Sequence, residues 1–271
     1  MFRDNVENII NSEETDLRKL QMVILEIMKV IDDICRENNI EYWIDSGTLL
    51  GSVRHGGFIP WDDDCDICMP REDYERFEKI VENNLPDGLF YDNKYTKNRC
   101  QLEVDIQPSF AKIYYLDHFE GFERASGEKC TGTFVDIFPC DPVNEKILNK
   151  KLGKVLNRIS YFRKTRPKKV RDYVKLFLQR IKIENLWIDY CRKAKKKNLT
   201  DSIAYGVDTP FMDNRWRHRN ETVFPLKEYE FEGYKFYGPN DYDTYLKKYY
   251  GDYMEFPPEE ERIPHIIDLK L

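Results

Sequence analysis

The sequence contains no uninterrupted run of about 18 apolar residues, the length that a transmembrane helix requires. Its first residues, MFRDNVENIINSEETD, also lack the apolar stretch of a secretory signal. The seven cysteines are odd in number and scattered, which argues against a disulfide framework and is typical of a reducing compartment. We therefore expect a cytoplasmic protein without a membrane-spanning segment.

Length and composition set the scale of the fold. The 271 residues are enough for one large domain or for a core with an appended subdomain, since domains usually contain about 100–200 residues. The composition is 41% hydrophobic and 14% aromatic, which supplies a sizeable core and excludes wholesale disorder. We predict a catalytic core over residues 1–145, a basic helical subdomain over 146–200, and a C-terminal segment over 201–271 that folds back on the core.

The net charge of −6 conceals an uneven distribution of charge along the chain. Between Lys146 and Lys197 there are 19 lysines and arginines against three acidic residues, so this segment, the basic block, carries +16 and the remainder −22. Such a block suits an anionic partner such as a membrane surface or a glycan phosphate, and a solvated helical face has the same pattern. Few aromatic residues accompany its basic ones, so we do not expect nucleic acid binding.

Hydrophobic periodicity predicts a mixed α+β chain. Apolar residues at three- and four-residue steps, or turn chemistry followed by such steps, indicate the helices. They are predicted over 12–36, 48–54, 71–84, 170–183 and 184–197. Strands, indicated by β-branched and aromatic content or by alternation, are predicted over 40–44, 64–69, 109–116 and 133–138. The chain beyond Asp201 shows little periodicity.

The densest chemical signal is a run of aspartates, Asp62-Asp63-Asp64-Cys65-Asp66. Because side chains of a strand alternate between its faces, Asp64 and Asp66 are expected on the same face. Neighbouring carboxylates repel one another unless a cation lies between them. Oxygen ligands without a nearby His or Cys pair favour Mg²⁺ or Mn²⁺ over Zn²⁺. The residues therefore predict a magnesium or manganese site, with an acidic surface loop or a calcium site as the alternatives.

A third carboxylate is expected to complete this metal site. Asp136 is the candidate, because an isolated charge in the apolar strand Thr133–Phe138 is costly without a partner. A hydrogen-bonded structural aspartate is the other interpretation. Upstream, the glycines of Gly47-Thr48-Leu49-Leu50-Gly51-Ser52 would let the backbone approach phosphate oxygens, and Ser52 could donate to them.

Three stretches of the sequence resemble the LicD family. They are YWIDSGTLLGSVRHGGFIPWDDDCDI at 42–67, VDIFP at 135–139 and YLKKYYGDYM at 245–254. The resemblance extends over roughly residues 17–265, and Cys65 departs from it at a position where a branched apolar residue is usual. It implies a nucleotidyltransferase-like fold, with a mixed sheet flanked by helices. It also implies transfer of phosphocholine, or of a polyol phosphate such as ribitol phosphate, from a CDP-activated donor to a sugar hydroxyl.

The resemblance further implies roles for individual residues. Asp64 and Asp66 would be metal ligands, with Asp136 as the third. Asp136 or Asp63 would accept the proton of the attacking hydroxyl, and Arg54 with Ser52 would hold the leaving phosphate. The other residues expected to contact the substrate are Gly47, Thr48, Gly51, His55, Trp61 and Asp62. Trp61 could stack on a cytosine or face a quaternary ammonium group.

The expected partners are CDP-choline or another CDP-alcohol and a glycan precursor of the teichoic acid, lipopolysaccharide or capsule type. A lipid-linked acceptor would bring the protein to the inner face of the membrane, where the basic block would bind peripherally. Two other functions stay open. A nucleotidyltransferase would use a nucleoside triphosphate on a small molecule or protein and release pyrophosphate instead of CMP. A non-catalytic anion-binding protein would use the basic block, although four clustered aspartates would weaken anion binding.

Overall fold

Most of the chain outside the basic block is described by the computed structural model. The described residues are 2–12, 14–93, 110–124, 127, 129–143, 169–175, 177–178, 201–206 and 217–271. The predicted helix over 184–197, and nearly all of the predicted subdomain over 146–200, lie outside them. Of the helix predicted over 170–183, residues 170–175 and 177–178 are described and helical. Of the helices in the described ranges, none has the length and apolar content needed to cross a membrane.

The described part of the fold contains a four-residue helix, Asn220–Val223, and five longer helices that frame it. They are α1 (Phe2–Ile10), α2 (Asp16–Glu37), α3 (Ser46–His55), α4 (Arg71–Ile80) and α5 (Tyr242–Tyr250). The predicted stripe of α2 is its buried face, and Thr15 caps the helix by accepting a hydrogen bond from the Arg18 amide at 3.3 Å. α4 ends four residues earlier than expected, and a single 3₁₀ turn, Val81–Asn83, follows it. α1 was not predicted, and it packs against α2.

The described residues also contain ten strands. In chain order they are β1 (Trp43–Ile44), β2 (Asp66–Pro70), β3 (Leu89–Asp92), β4 (Ala111–Glu123), β5 (Lys129–Val143), β6 (Ser202–Tyr205), β7 (Arg217–Arg219), β8 (Lys227–Phe231), β9 (Tyr234–Gly238) and β10 (Ile266–Lys270). All strands except β8 and β9 form one mixed sheet, and those two form a separate hairpin. With the helices around it, this sheet confirms the predicted α+β class.

The middle of the large sheet follows the order β1-β2-β5-β4-β10. β2 and β5 are parallel, and the other pairings are antiparallel. The parallel register places Asp66 directly beside Asp136. Two of the predicted metal ligands, 70 positions apart in the sequence, are therefore neighbours in the sheet.

The strand predicted over 64–69 begins two residues later in the structure than expected. β2 begins at Asp66, and Asp64 lies in the segment that leads into it. Pairing with β5 nevertheless extends to Cys65, whose carbonyl oxygen accepts a hydrogen bond from the Asp136 amide at 2.9 Å. Cys65 is buried whereas Asp64 and Asp66 are only partly buried, so the alternation continues through this segment.

The chain beyond Asp201 contains regular structure that the sequence analysis did not predict. β6 pairs with β5 and β10 pairs with β4, so this segment contributes strands to the central sheet. α5 contacts α3, and the indole nitrogen of Trp43 donates to the hydroxyl of Tyr245 at 3.0 Å. Residues near both ends of the chain consequently border the same region of the fold.

Candidate metal and phosphate site

An acidic cluster lies where the chain enters β2. Asp62, Asp63, Asp64 and His265 each offer one ligand atom, and these four atoms lie within 4.8 Å of one another. Three of these side chains come from consecutive residues, and the fourth comes from just before β10. The sequence analysis found the aspartates but missed His265, because nothing local marks a histidine 200 residues away as their neighbour.

Asp63 binds the C-terminal strand to this cluster. One carboxylate oxygen lies 3.0 Å from Nδ1 of His265, and the other accepts the amide hydrogen of Ile266 at 2.6 Å. The Asp63 side chain is 2% exposed, whereas that of His265 is 72% exposed. The hydrogen bond to Asp63 raises the pKa of His265 to about 9, with Asp64 and Asp62 adding to the effect. Asp63 therefore fixes the start of β10, and His265 contributes positive charge to the edge of the cluster.

Asp66 and Asp136 extend the acidic cluster along the sheet. Burial, followed by the charges of Asp64 and Asp136, raises the pKa of Asp66 well above its ordinary value. Burial also raises the pKa of Asp136 to about 6, against the opposing effect of Lys112. The ammonium group of Lys112 lies 2.5 Å from Oδ1 of Asp136, in a cross-strand pair between β4 and β5. Lys112 is a second site residue that the sequence analysis missed.

The donor set fits a hard divalent cation. Burial and repulsion from Asp64 and Asp63 raise the pKa of Asp62, as expected for carboxylates crowded together without enough positive charge. Carboxylate oxygens are the ligands that Mg²⁺ and Mn²⁺ prefer. The acidic cluster could hold such an ion. Of the three predicted ligands, only Asp64 belongs to the group of four residues whose ligand atoms lie within 4.8 Å of one another. Asp66 and Asp136 are paired on the neighbouring strands β2 and β5.

Helix α3 supports the cluster through close backbone contacts. A Cβ atom on Gly47 would lie 2.7 Å from Oδ2 of Asp62, so a larger residue would displace the Asp62 carboxylate from its position against the start of the helix. The hydroxyl of Thr48 accepts the amide hydrogen of Asp66 at 2.9 Å. A Cβ atom on Gly51 would collide with the carbonyl oxygen of Gly57. These contacts give the predicted substrate-binding residues of α3 a positioning role in the structure.

Ser52 and Arg54, predicted to hold phosphate, contact backbone carbonyls of the C-terminal part of the chain. The Ser52 hydroxyl donates to the carbonyl of Glu230 at 2.7 Å. Arg54 donates to the carbonyls of Tyr253 at 2.9 Å and Glu255 at 3.3 Å. Ser52 would have to leave its bond in order to donate to a phosphate, whereas the guanidinium of Arg54 has further N–H groups.

An aromatic group stands next to the acidic cluster. The ring centroid of Phe256 lies 5.6 Å from that of His55 and 6.3 Å from that of Trp61. Nε2 of His55 accepts a hydrogen bond from Nε of Arg54 at 3.0 Å, and burial, followed by the Arg54 charge, lowers the pKa of His55. Trp61 directly precedes Asp62. The predicted substrate residues His55 and Trp61 are thus brought together, with Phe256 as a partner that the sequence analysis did not name.

A buried carboxylate beneath the cluster fixes the start of α3. Asp45 accepts hydrogen bonds from the hydroxyls of Tyr245, at 2.7 Å, and of Tyr205. The Cys68 thiol lies 3.2 Å from the same carboxylate. Buried carboxylates of this kind are stable only when hydrogen-bonded. Asp45 therefore joins α3, β2, β6 and α5 directly below the functional residues.

Comparison with known proteins shows the family of this chain. Residues 39–189 match the family model described as LicD/FKTN/FKRP, nucleotidyltransferase domain. The chain is 32% identical over 272 aligned positions to the lipopolysaccharide cholinephosphotransferase LicD of Haemophilus influenzae, covering 93% of this chain and 96% of that protein. The mouse ribitol 5-phosphate transferase FKRP is 28% identical over 118 positions, covering 36% of this chain and 24% of that protein. The mouse ribitol-5-phosphate transferase FKTN is 24% identical over 161 positions, covering 51% and 34%. The chain belongs to the LicD/FKTN/FKRP family of nucleotidyltransferase domains.

Proposed function

We propose that this protein is an enzyme that transfers phosphocholine, or a related polyol phosphate, from a CDP-activated donor to a hydroxyl group of a glycan precursor, releasing CMP. The observation that carries the proposal is the acidic cluster of Asp62, Asp63 and Asp64 with His265, next to the strand pair Asp66–Asp136, in a chain of this family. The activities named for the relatives support the transferred groups, since one is a cholinephosphotransferase and two are ribitol phosphate transferases.

Asp64, Asp66 and Asp136 would hold the metal ion, with Asp62 and His265 at its border. We propose Mg²⁺ or Mn²⁺, because the donors are mainly carboxylate oxygens. When bound, such an ion neutralises phosphate charge and polarises the phosphorus centre. Lys112 holds Asp136 in place from the neighbouring strand, at 2.5 Å.

The proton of the attacking sugar hydroxyl would pass to a carboxylate of the cluster. Both oxygens of Asp63 already accept hydrogen bonds, from His265 and Ile266, and one oxygen of Asp136 is paired with Lys112, so Asp136 or Asp63 would accept the proton in exchange for one of these contacts. Arg54 would contact the leaving phosphate through the N–H groups that its two carbonyl partners leave free. Attack at the phosphorus distal to cytidine would transfer phosphocholine and release CMP.

The acceptor would be a cell-surface glycan precursor of the teichoic acid, lipopolysaccharide or capsule type, carried on lipid and met at the cytoplasmic face of the membrane. The basic block provides attraction to an anionic surface. Its helical residues 170–175 and 177–178 add a set of exposed apolar side chains suited to the boundary between headgroups and acyl chains. They are Val170, Tyr173, Val174, Phe177 and Leu178, with exposed fractions of 52–81%.

Ligand-induced thermal stabilisation tests the donor class. CDP-choline or CDP-ribitol should raise the melting temperature in the presence of Mg²⁺ and have little effect in its absence, since a ligand that binds only the folded state stabilises it. ATP and GTP should produce no comparable shift with Mg²⁺. Strong stabilisation by a nucleoside triphosphate, with none by any CDP-alcohol, would replace this proposal with the nucleotidyltransferase hypothesis.

A further inference from the structure

Two arginines next to the acidic cluster share one aromatic ring. The guanidinium carbon of Arg54 lies 4.8 Å from the ring centroid of Phe256, and that of Arg262 lies 5.3 Å from the same centroid. Arg262 also lies 5.7 Å from the ring of Trp61. Phe256 itself is 51% exposed, so this pair of charges stands at the surface of the site. Two guanidinium groups are thus held close together by a ring that attracts both.

Among the described residues, neither arginine has a carboxylate partner. Arg54 donates to His55 and to the carbonyls of Tyr253 and Glu255. Arg262 donates through Nε to the carbonyl of Pro257 at 2.7 Å. Other arginines in the described ranges bind acids directly, as in the pairs Arg18–Glu232 and Arg71–Asp141, both with N–O distances below 2.8 Å. Burial, with a smaller contribution from the Arg262 charge, lowers the pKa of Arg54.

The hydrogen bonds that Arg54 and Arg262 already form orient their remaining N–H groups. Backbone carbonyls use one nitrogen of each guanidinium, and the aromatic faces fix the planes of both groups. Within the described ranges no acceptor contacts the terminal N–H groups of Arg262, which can therefore bind a ligand. A planar guanidinium with free N–H groups matches two oxygens of a phosphate. Two such groups, both within 5.3 Å of the centroid of one ring, offer a site for a phosphate with more than one negative charge.

The position of Arg54 and Arg262 indicates which phosphate compound they would bind. Trp61 is the residue before Asp62, and His265 follows Arg262 by three residues, so both sides of the aromatic group lead into the acidic cluster. A phosphate held by the arginines would therefore lie near any phosphate oxygens that the cluster binds. A nucleoside diphosphate ester has two adjacent phosphates of this kind, one of which stays with the nucleoside when the ester is cleaved.

We propose that Arg262, together with Arg54 on the ring of Phe256, forms the subsite that binds the phosphate of the nucleoside monophosphate part of the donor. This inference rests on the proposed function and adds Arg262 and Phe256 to its substrate-binding residues. Arg262 carries the contact with the leaving nucleotide, and Phe256 positions both guanidinium groups. Residues 253–262 thereby supply one wall of the donor site.

Binding of CMP by isothermal titration, with Mn²⁺ present, tests the subsite. Arg262→Gln should weaken CMP binding about tenfold or more, the usual effect of losing a hydrogen bond to a charged group. Arg262→Lys should recover part of this loss, because it restores the charge without the planar fork. Cytidine, which has no phosphate, should bind with the same affinity to wild type and Arg262→Gln. Inorganic phosphate should bind more weakly than CMP, since it lacks the nucleoside.

Arg76→Gln is the matched control. Arg76 also donates to backbone carbonyls, those of Asn38 and Asn39, and it pairs with Asp73 on the same helix. This control should bind CMP like the wild type, and melting temperatures of all variants should show that they are folded. If folded Arg262→Gln binds CMP as tightly as the wild type, the subsite is wrong while the proposed function stands. If the wild type binds neither CMP nor a CDP-alcohol, the proposed function fails as well.

Discussion

Individual carboxylates in the acidic cluster have different tasks. Asp63 uses both oxygens to hold His265 and Ile266, and Asp136 is paired with Lys112. Asp62 and Asp66 have no comparable neutralisation, and burial and neighbouring charge raise the pKa of each. The positive charge that these two lack is what a divalent cation supplies.

Replacing Asp66 with Asn tests the metal assignment at this scale. The change removes one ligand charge and keeps nearly the same side-chain volume, so Mn²⁺ affinity measured by titration calorimetry should fall about tenfold or more. The melting temperature without metal should stay the same or rise, because the variant removes a repulsive carboxylate from the cluster. Asp243→Asn, an exposed aspartate paired with Lys247, is the control and should leave Mn²⁺ affinity unchanged. Unchanged affinity in Asp66→Asn would remove Asp66 from the ligand set.

At the scale of elements, the sequence predicted the helices and strands whose buried side chains recur at regular spacing along the chain. α2 has its buried stripe at the expected three- and four-residue steps, and β2 and β5 lie where alternation and apolar content placed them. The predicted pair of Asp66 and Asp136 follows from these strands being adjacent and parallel. The metal-binding role itself stays a prediction.

Three strands of the C-terminal part were missed for a physical reason. β6, β7 and β10 are three to five residues long and are stabilised by pairing with distant strands, which leaves little local pattern. The β8–β9 hairpin did carry a signal, since Tyr229 and Phe231 alternate before Glu232-Gly233 and Tyr234 and Phe236 after it. Both turn residues have positive φ, 52° and 77°, as a two-residue hairpin turn requires. His265 and Lys112 were missed because their partnership with the aspartates exists only after the strands pair.

The helical residues 170–175 and 177–178 are expected to bind membranes, which is a prediction at the same scale. Their exposed apolar side chains and basic neighbours should bind vesicles containing anionic phospholipid, and binding should weaken as salt rises. Reversing Lys169, Arg171 and Lys175 to Glu should reduce sedimentation with these vesicles at least about tenfold, at about 1 kcal/mol for each basic residue near the surface. The control reverses Arg219, Lys235 and Lys270, which are exposed outside the basic block, and should bind normally. Absence of wild-type binding at low salt would refute the membrane contact.

In the molecule as a whole, one region joins distant parts of the sequence. α3 and the aspartates before β2 supply one side of the site, β4 and β5 supply Lys112 and Asp136, and residues 253–265 supply the aromatic and cationic border. Asp45 and Asp63, both buried, tie these parts together through α5 and β10. This arrangement explains why the resemblance to the family extends over nearly the whole chain rather than over the aspartate motif alone.

Analysis of reaction products is the most direct test of the proposed transfer. The protein would be incubated with Mg²⁺, a panel of short glycan acceptors and, in separate reactions, CDP-choline, CDP-ribitol or CTP, and the products resolved by ³¹P NMR and mass spectrometry. We predict CMP and an equal amount of a phosphodiester-linked glycan from one of the CDP-alcohols, with both products absent in Asp66→Asn and present in Arg76→Gln. Pyrophosphate and a nucleotidylated acceptor from CTP, with no CMP from either CDP-alcohol, would contradict the account.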